Sequence, residues 1–186
     1  MQEMSKKNFF IGAVVLFGLS LICLLIITFL VFRNMVVFIE PDKRGVVLSP
    51  YETSGYRIGV LEPGRHLISF GERVRIYDIS PQTYTMSAPD SIEAQTLDGK
   101  TVHVDISVIY ALDPQKILDM HIHWQDRYED NLVRPLSRSI TRETISFYNI
   151  NDLDIPKVEQ AIFEVLSAKF AENDLILVKF SIISIQ

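Results

Sequence analysis

His121 and His123 stand two residues apart with Asp119 just before them, and these are side chains that can hold a metal ion and activate a bound water. Imidazoles at that spacing share one side of a strand, but this segment follows Asp113-Pro114 in a helical or loop context, and spacing marks no third ligand. The reading is two ordinary polar or partly buried histidines; a metal-dependent hydrolase using His121, His123 and an acid such as Asp119 is the alternative. Arg134, Arg138 and Arg142 recur every four residues and so line one side of a helix, near Asp130 and Glu143. They form either a solvated face with i,i+4 ion pairs or a contact surface for a neighbouring subunit, where Arg pairs with carboxylates. Gly99-Lys100-Thr101 has the ending of a phosphate loop, yet the upstream Gly is missing and a strand follows, which makes it a hairpin turn. G-x-S-x-G, H-E-x-x-H and G-x-G-x-x-G do not occur, and the single cysteine, Cys23, lies inside an apolar run. No catalytic, cofactor-binding or metal residue is assigned, and no cofactor is expected.

The elements that would position such residues begin with the apolar run. Phe9 to Phe32 is 24 residues without a charge, a helix of roughly 36 Å against a hydrocarbon core of about 30 Å. Phe9, Phe10, Leu16, Leu24, Phe29 and Phe32 are its large lipid-facing candidates, with Lys6 and Lys7 before it and Arg33 after it. The run exceeds a signal-peptide core, and no small-x-small cleavage site follows, so it reads as an uncleaved anchor. The expected division is a short cytoplasmic tail at 1–8, a transmembrane anchor at 9–32 and one folded body at 33–186. Cation counts on the two flanks nearly tie; a short N-terminal tail favours a cytoplasmic N-terminus with the body on the opposite side, periplasmic if the source is bacterial.

The body holds 16 Lys and Arg against 22 Asp and Glu, and the whole chain has a net charge of -5, which excludes nucleic acid as the main partner because phosphate binding requires a basic face. One cysteine excludes an intramolecular disulfide and a cysteine-based metal cluster. No Gly/Ser linker separates anchor from body, so the body lies close to the bilayer, and Met35 to Ile39 is either a core strand or a segment dipping into the headgroups.

Within the body, strands are expected at 45–49, 56–61, 66–70 and 74–79. A hairpin follows, 92–97 and 101–112, turned by Asp98-Gly99 as a type I′ turn. Val102, Val104, Ile106, Val108 and Tyr110 alternate with His103, Asp105, Ser107 and Ile109, the period of a half-buried strand. Pro114 and Pro156 mark helix starts capped by Asp113 and Asp154. A helix from about Asp126 to Tyr148 carries Leu132, Val133, Leu136, Ile140 and Ile145 on one face with a kink at Pro135. A second has an apolar stripe of Val158, Ala161, Ile162, Val165 and Leu166. Asn173 then turns the chain into a final strand, 175–185. Strands first, helices later and a closing strand define an α+β fold.

The order of short phrases resembles a known family. An anchor, then Glu40-Pro41-Asp42-Lys43-Arg44-Gly45-Val46-Val47-Leu48, then Leu61-Glu62-Pro63-Gly64-Arg65-His66, is similar to the opening of the SPFH or band 7 superfamily of prohibitins, stomatins, flotillins and the HflK/HflC pair. The strand through Asp78 to Thr83, the hairpin from Thr96 to Tyr110, the Asp113-Pro114 helix start and the helix from Val133-Arg134-Pro135 to Arg142-Glu143 follow in the family's order. The long coiled coil common in that family is not expected here, since no sustained heptads occur within the 186 residues. The resemblance implies a non-enzymatic, membrane-anchored scaffold. It would assemble with itself or with paralogous SPFH subunits into large rings or cages, organise a patch of membrane lipids and regulate an FtsH-type AAA protease. A membrane-anchored binding module for a periplasmic or extracellular partner is the remaining alternative, and for the hydrolase reading the histidine pair would be membrane-tethered.

Overall fold

The computed structural model describes residues 2–186, with side chains from residue 16 onward. A long helix, α1 (Gln2–Met35), runs without a spacer into β1 (Val36–Ile39). The chain then turns at Glu40–Asp42 and descends again as β2 (Lys43–Leu48). β3 (Tyr56–Leu61), β4 (Gly64–Leu67) and β5 (Arg73–Asp78) continue this back-and-forth. β1 pairs antiparallel with β4, and β2 lies between β3 and β5. The two small sheets meet at Gly45, whose backbone lies against Ile39, Leu61 and Val74.

The second lobe is built on β8 (Thr101–Leu112). β6 (Gln82–Met86) and β7 (Ile92–Gln95) pair end to end along one edge of it, and β9 (Leu175–Ile185) pairs along the other. Three helices follow β8: α2 (Ile117–His123), α3 (Arg134–Ile145) and α4 (Ile155–Ala171). The alternation read in β8 places Val102, Val104, Ile106, Val108 and Tyr110 in the core, where they meet Val158, Ile162, Leu166 and Phe170 of α4. The architecture is α+β, as the order of strands and helices implied.

β3, β8 and β9 have the bounds the periodicity indicated, but several local expectations are corrected. The 96–100 turn is not type I′: Asp98 keeps a negative φ, Gly99 alone is left-handed at +76°, and Gly99 N–H donates to Thr96 O at 2.9 Å while Thr96 N–H donates to Lys100 O at 2.9 Å. That is a type I turn closed by a left-handed glycine, a three-residue loop. Asp113 accepts from Gln115 N–H at 2.9 Å, an Asx-turn, so α2 starts later, at Ile117. Asp154 occupies the cap position of α4 but turns its carboxylate to Lys157, 3.0 Å away.

The expected helix from Asp126 to Tyr148 is three segments: a 3₁₀ turn at Gln125–Arg127, a π turn at Glu129–Val133, and α3. Arg134 N–H donates to Glu129 O, five residues back, and Pro135 then supplies no donor of its own. The break is therefore a widened turn before Pro135. On α4, Val165 is exposed and the buried stripe is Val158, Ile162, Leu166 and Phe170, a strict i+4 row. The left-handed residue entering β9 is Asp174, φ +66°, one place after Asn173, whose Nδ2 donates to Lys169 O at 2.9 Å. Two strands unforeseen from periodicity, β1 and β6, complete the sheets; Met35 to Ile39 resolves into a helix end and a strand with Ile39 fully buried.

A methyl group on Gly45 would meet Val74 Cγ1 at 2.8 Å and Ile39 Cδ1 at 3.1 Å. Gly45→Ala should therefore destabilise the fold by about 1–3 kcal/mol through overpacking, read as a lower denaturation midpoint; an unchanged midpoint would show that the two small sheets do not meet tightly there.

Candidate membrane-facing site

Among the residues with described side chains, the part of α1 long and apolar enough to cross a membrane is Leu16–Met35, with a mean hydropathy of 2.5, and none of it is buried against the body. Leu16, Leu24, Phe29 and Phe32 of the expected anchor are all exposed, while the side chains of Phe9 and Phe10 lie outside the described residues. Its two hydroxyls are satisfied within the helix: Thr28 Oγ1 donates to Leu24 O at 2.8 Å and Ser20 Oγ to Phe17 O at 3.1 Å. A helix of this length and polarity fits a bilayer as a single span.

The first lobe is tied to the end of that helix. Ile68 N–H donates to Met35 O at 2.8 Å, which fixes the β4–β5 loop at the level where α1 ends. The antiparallel register carries the same consequence to the β2–β3 loop, because Leu48 pairs with Arg73 at the start of β5. Tyr51 OH donates to Phe70 O, joining the two loop tips. Behind them the nearly buried Glu72 carboxylate accepts from Arg57 Nη2 at 2.5 Å and from Ser69 N–H at 2.7 Å. Burial opposes the charge on Glu72, but these donors more than offset it and hold its pKa below the usual carboxylate range.

Each of the two tips presents one large aromatic side chain among polar residues. Tyr51 is 67% exposed and Phe70 69%, comparable with Phe147 of the second lobe, and what sets them apart is their place beside the end of α1. On the β1–β4 pair, Val37 and Ile39 face inward, leaving Val36, Phe38 and Leu67 exposed on the other side together with Arg65, which pairs with Phe38. This patch is continuous with the exposed end of α1, where Phe29, Phe32 and Val36 surround a shallow groove. Tyr51 and Phe70 were not singled out by sequence reasoning; their signal was a lone aromatic in each of two turn-rich stretches, Pro50-Tyr51 and Phe70-Gly71.

The arginine row occupies the opposite part of the body and is engaged within the chain. Asp90 Oδ1 accepts from Arg134 Nη2 at 2.5 Å and from Arg138 Nη1 at 2.7 Å; Arg138 Nη2 reaches Ser91 O at 3.2 Å, and Arg142 Nε donates to Glu93 O at 2.8 Å. Ser91 and Glu93 direct their carbonyls away from β8, so the row fastens α3 across the free edge of β7. The i,i+4 pairs with Asp130 and Glu143 do not form in the structure. The hydrogen bond from Arg134 is the first cause of a lowered Asp90 pKa.

His121 and His123 do not converge. On a helix, residues two apart diverge, and His121 Nδ1 lies 2.5 Å from the buried Tyr77 hydroxyl while His123 Nδ1 lies 3.7 Å from Asp174. Asp119 is exposed, and among the described residues no group of three His, Cys, Asp or Glu is placed to hold a metal ion. His121 instead joins the lobes: its ring stands edge-on to Tyr56 of β3 and Tyr77 of β5. The Arg75–Asp126 ion pair lies beside it. Burial, then Arg75, lowers the His121 pKa, Asp126 acting against them; burial pushes the Tyr77 hydroxyl up to about 12. Both effects favour the neutral imidazole, whose Nδ1 shares a hydrogen bond with the Tyr77 hydroxyl.

Two expected outcomes follow from this geometry. Asp90→Ala removes the acceptor shared by two guanidiniums on a partly exposed site and should cost about 1–2 kcal/mol, measured by denaturant unfolding; a neutral result would leave the arginine row without a structural role. For His121 the unfolded chain binds the proton more readily than the native one, so stability is constant above the ordinary histidine pKa of 6.5 and declines as pH falls below it. Melting temperatures between about pH 8 and 5 should decline less in His121→Gln than in the parent; parallel profiles would assign the pH response elsewhere.

Compared with known families, residues 37–186 match the SPFH domain / Band 7 family. A search of curated proteins gave no match.

Proposed function

The chain belongs to the SPFH domain / Band 7 family, and from that premise we propose that it is a membrane-anchored scaffold whose body rests on the bilayer by the tips of its first lobe and lines up with further SPFH subunits. The observation that carries this reading is the direct junction at Met35: an apolar span enters β1 without a spacer, and the Ile68 hydrogen bond returns two aromatic loop tips to the same level. A flexible tether would leave the body free to tumble, whereas this junction gives neighbouring copies a common height and tilt. That shared orientation removes part of the rotational freedom that association otherwise forfeits.

In this reading the chain performs no bond chemistry. The assembled subunits enclose a membrane patch and control the access of an FtsH-type AAA protease to its substrates, with the N-terminus cytoplasmic and the body on the other face. The full chain, extracted with surrounding lipid into polymer-bounded discs, should migrate as a species of many copies under conditions that keep it folded. Particles holding one copy at every concentration would reject the scaffold. Two further arms address the finer parts: an impermeant thiol reagent should label Ser87→Cys, exposed on the second lobe, but not Ser5→Cys in sealed cells, and co-reconstitution should slow a membrane protease of this class on a membrane substrate. Reversed labelling overturns the orientation, and an unchanged proteolysis rate overturns the regulatory role.

A further inference from the structure

The membrane-facing end has a charge pattern that its apolar residues do not explain. Residues 33–81 carry seven Lys and Arg against six Asp and Glu, while residues 82–186 carry nine against sixteen. The first lobe is thus +1 and the second -7, although they form one body. Most of the charge in the first lobe is internally balanced: Lys43 pairs with Glu40, Arg44 with Glu62, and Arg57 with Glu72, while Arg75 pairs with Asp126 of the second lobe. Arg33, Arg65 and Arg73 are exposed and make no ion pair among the described residues.

Their positions follow from the topology. Arg33 is in the last turn of α1. Arg65 is two residues from Leu67 on the exposed face of the β1–β4 pair, and Arg73 opens β5 immediately after the loop that holds Phe70. All three therefore stand within a few residues of the level at which the span ends, around the patch of Val36, Phe38, Leu67, Phe70 and Tyr51. Of the first lobe's exposed carboxylates without an ion pair, Asp42 lies in the β1–β2 turn at the far end, and Glu52, beside Tyr51, is the one near the patch.

We propose that this end of the body is a binding surface for anionic lipid headgroups, with Arg33, Arg65 and Arg73 meeting the phosphates and Tyr51 and Phe70 entering below them. This rests on the reading that the first lobe lies on the bilayer and adds the class of lipid it selects. Guanidinium forks match phosphate oxygens, and each cation near a charged bilayer surface favours contact by roughly fivefold. The acidic second lobe contributes in the opposite sense: the same lipids repel it and so hold it away from the surface, fixing the direction in which the body stands.

The test uses the full chain with Phe70→Trp and Trp124→Phe, so that its one tryptophan is at the loop tip, in discs of neutral lipid with a minority of anionic lipid. Bromines are placed on either the anionic or the neutral lipid, and quenching is compared per brominated molecule. Quenching by the anionic lipid should be stronger by about fivefold, should fall to parity in Arg65→Glu/Arg73→Glu, and should weaken in about 0.5 M salt. Equal quenching by both lipids overturns the selectivity and leaves the membrane contact standing; absence of quenching by either overturns the contact as well. Should the tryptophan exchange unfold the body, amide hydrogen exchange of residues 68–72 in the unaltered chain decides instead: greater protection in anionic than in neutral discs supports the proposal, and equal protection overturns it.

Discussion

The arrangement of this protein depends on one backbone hydrogen bond, from Ile68 N–H to Met35 O, made where a helix and a strand meet without a linker. Helix C-termini leave carbonyls without intrahelical partners, and at a membrane boundary water or another chain segment must supply them. Here a loop of the folded body does so. Meeting that local need also sets the global geometry, since β4 is carried into register with β1 and the alternating strands then return both loop tips to the helix end. The Tyr51–Phe70 bond and the Glu72 cluster hold the tips together, so aromatic exposure at this end is built into rigid structure.

Much of the body was legible because its periodicities are clean. Buried residues alternate with more exposed ones through the first ten residues of β8, and the family's phrases around Gly45 and Gly64 stand in the expected order. What sequence could not give was the identity of the surface across from each pattern. The four-residue recurrence of Arg134, Arg138 and Arg142 establishes a shared helix side, but their acceptors are 44 to 49 residues away, on a strand edge that only the folded topology brings near. The histidine pair failed for a related reason: at the same spacing a helix separates side chains that a strand would gather, and the tyrosines that receive His121 belong to another lobe. Local turn chemistry was harder still. Asp98-Gly99 permits either hairpin turn, and what distinguishes them is whether both Asp98 and Gly99 turn left-handed or Gly99 alone does.

The membrane-facing tips illustrate a different limit. Single aromatics in loops carry no period, so Tyr51 and Phe70 had no pattern to announce them. Burial in the surrounding strands exposes their purpose only by contrast: Val46 and Val47, a few residues earlier, are almost fully enclosed. Exposure of this kind becomes informative only through its place in the fold, beside the end of an apolar helix.

The two edges of the large sheet differ in a way that bears on how copies can meet. An open strand edge is a template for pairing with another chain. Along β7 that template is closed, because Arg138 and Arg142 occupy the outward carbonyls of Ser91 and Glu93. Along β9 no strand pairs with the outer edge among the described residues, and α4 covers it at one point, where Glu159 accepts from Ile182 N–H at 2.6 Å. Lateral contact through strand pairing is therefore directed to one side of each subunit. Pairing through a single open edge is self-complementary and joins two copies about a two-fold axis; a longer row needs a second, different surface on each subunit.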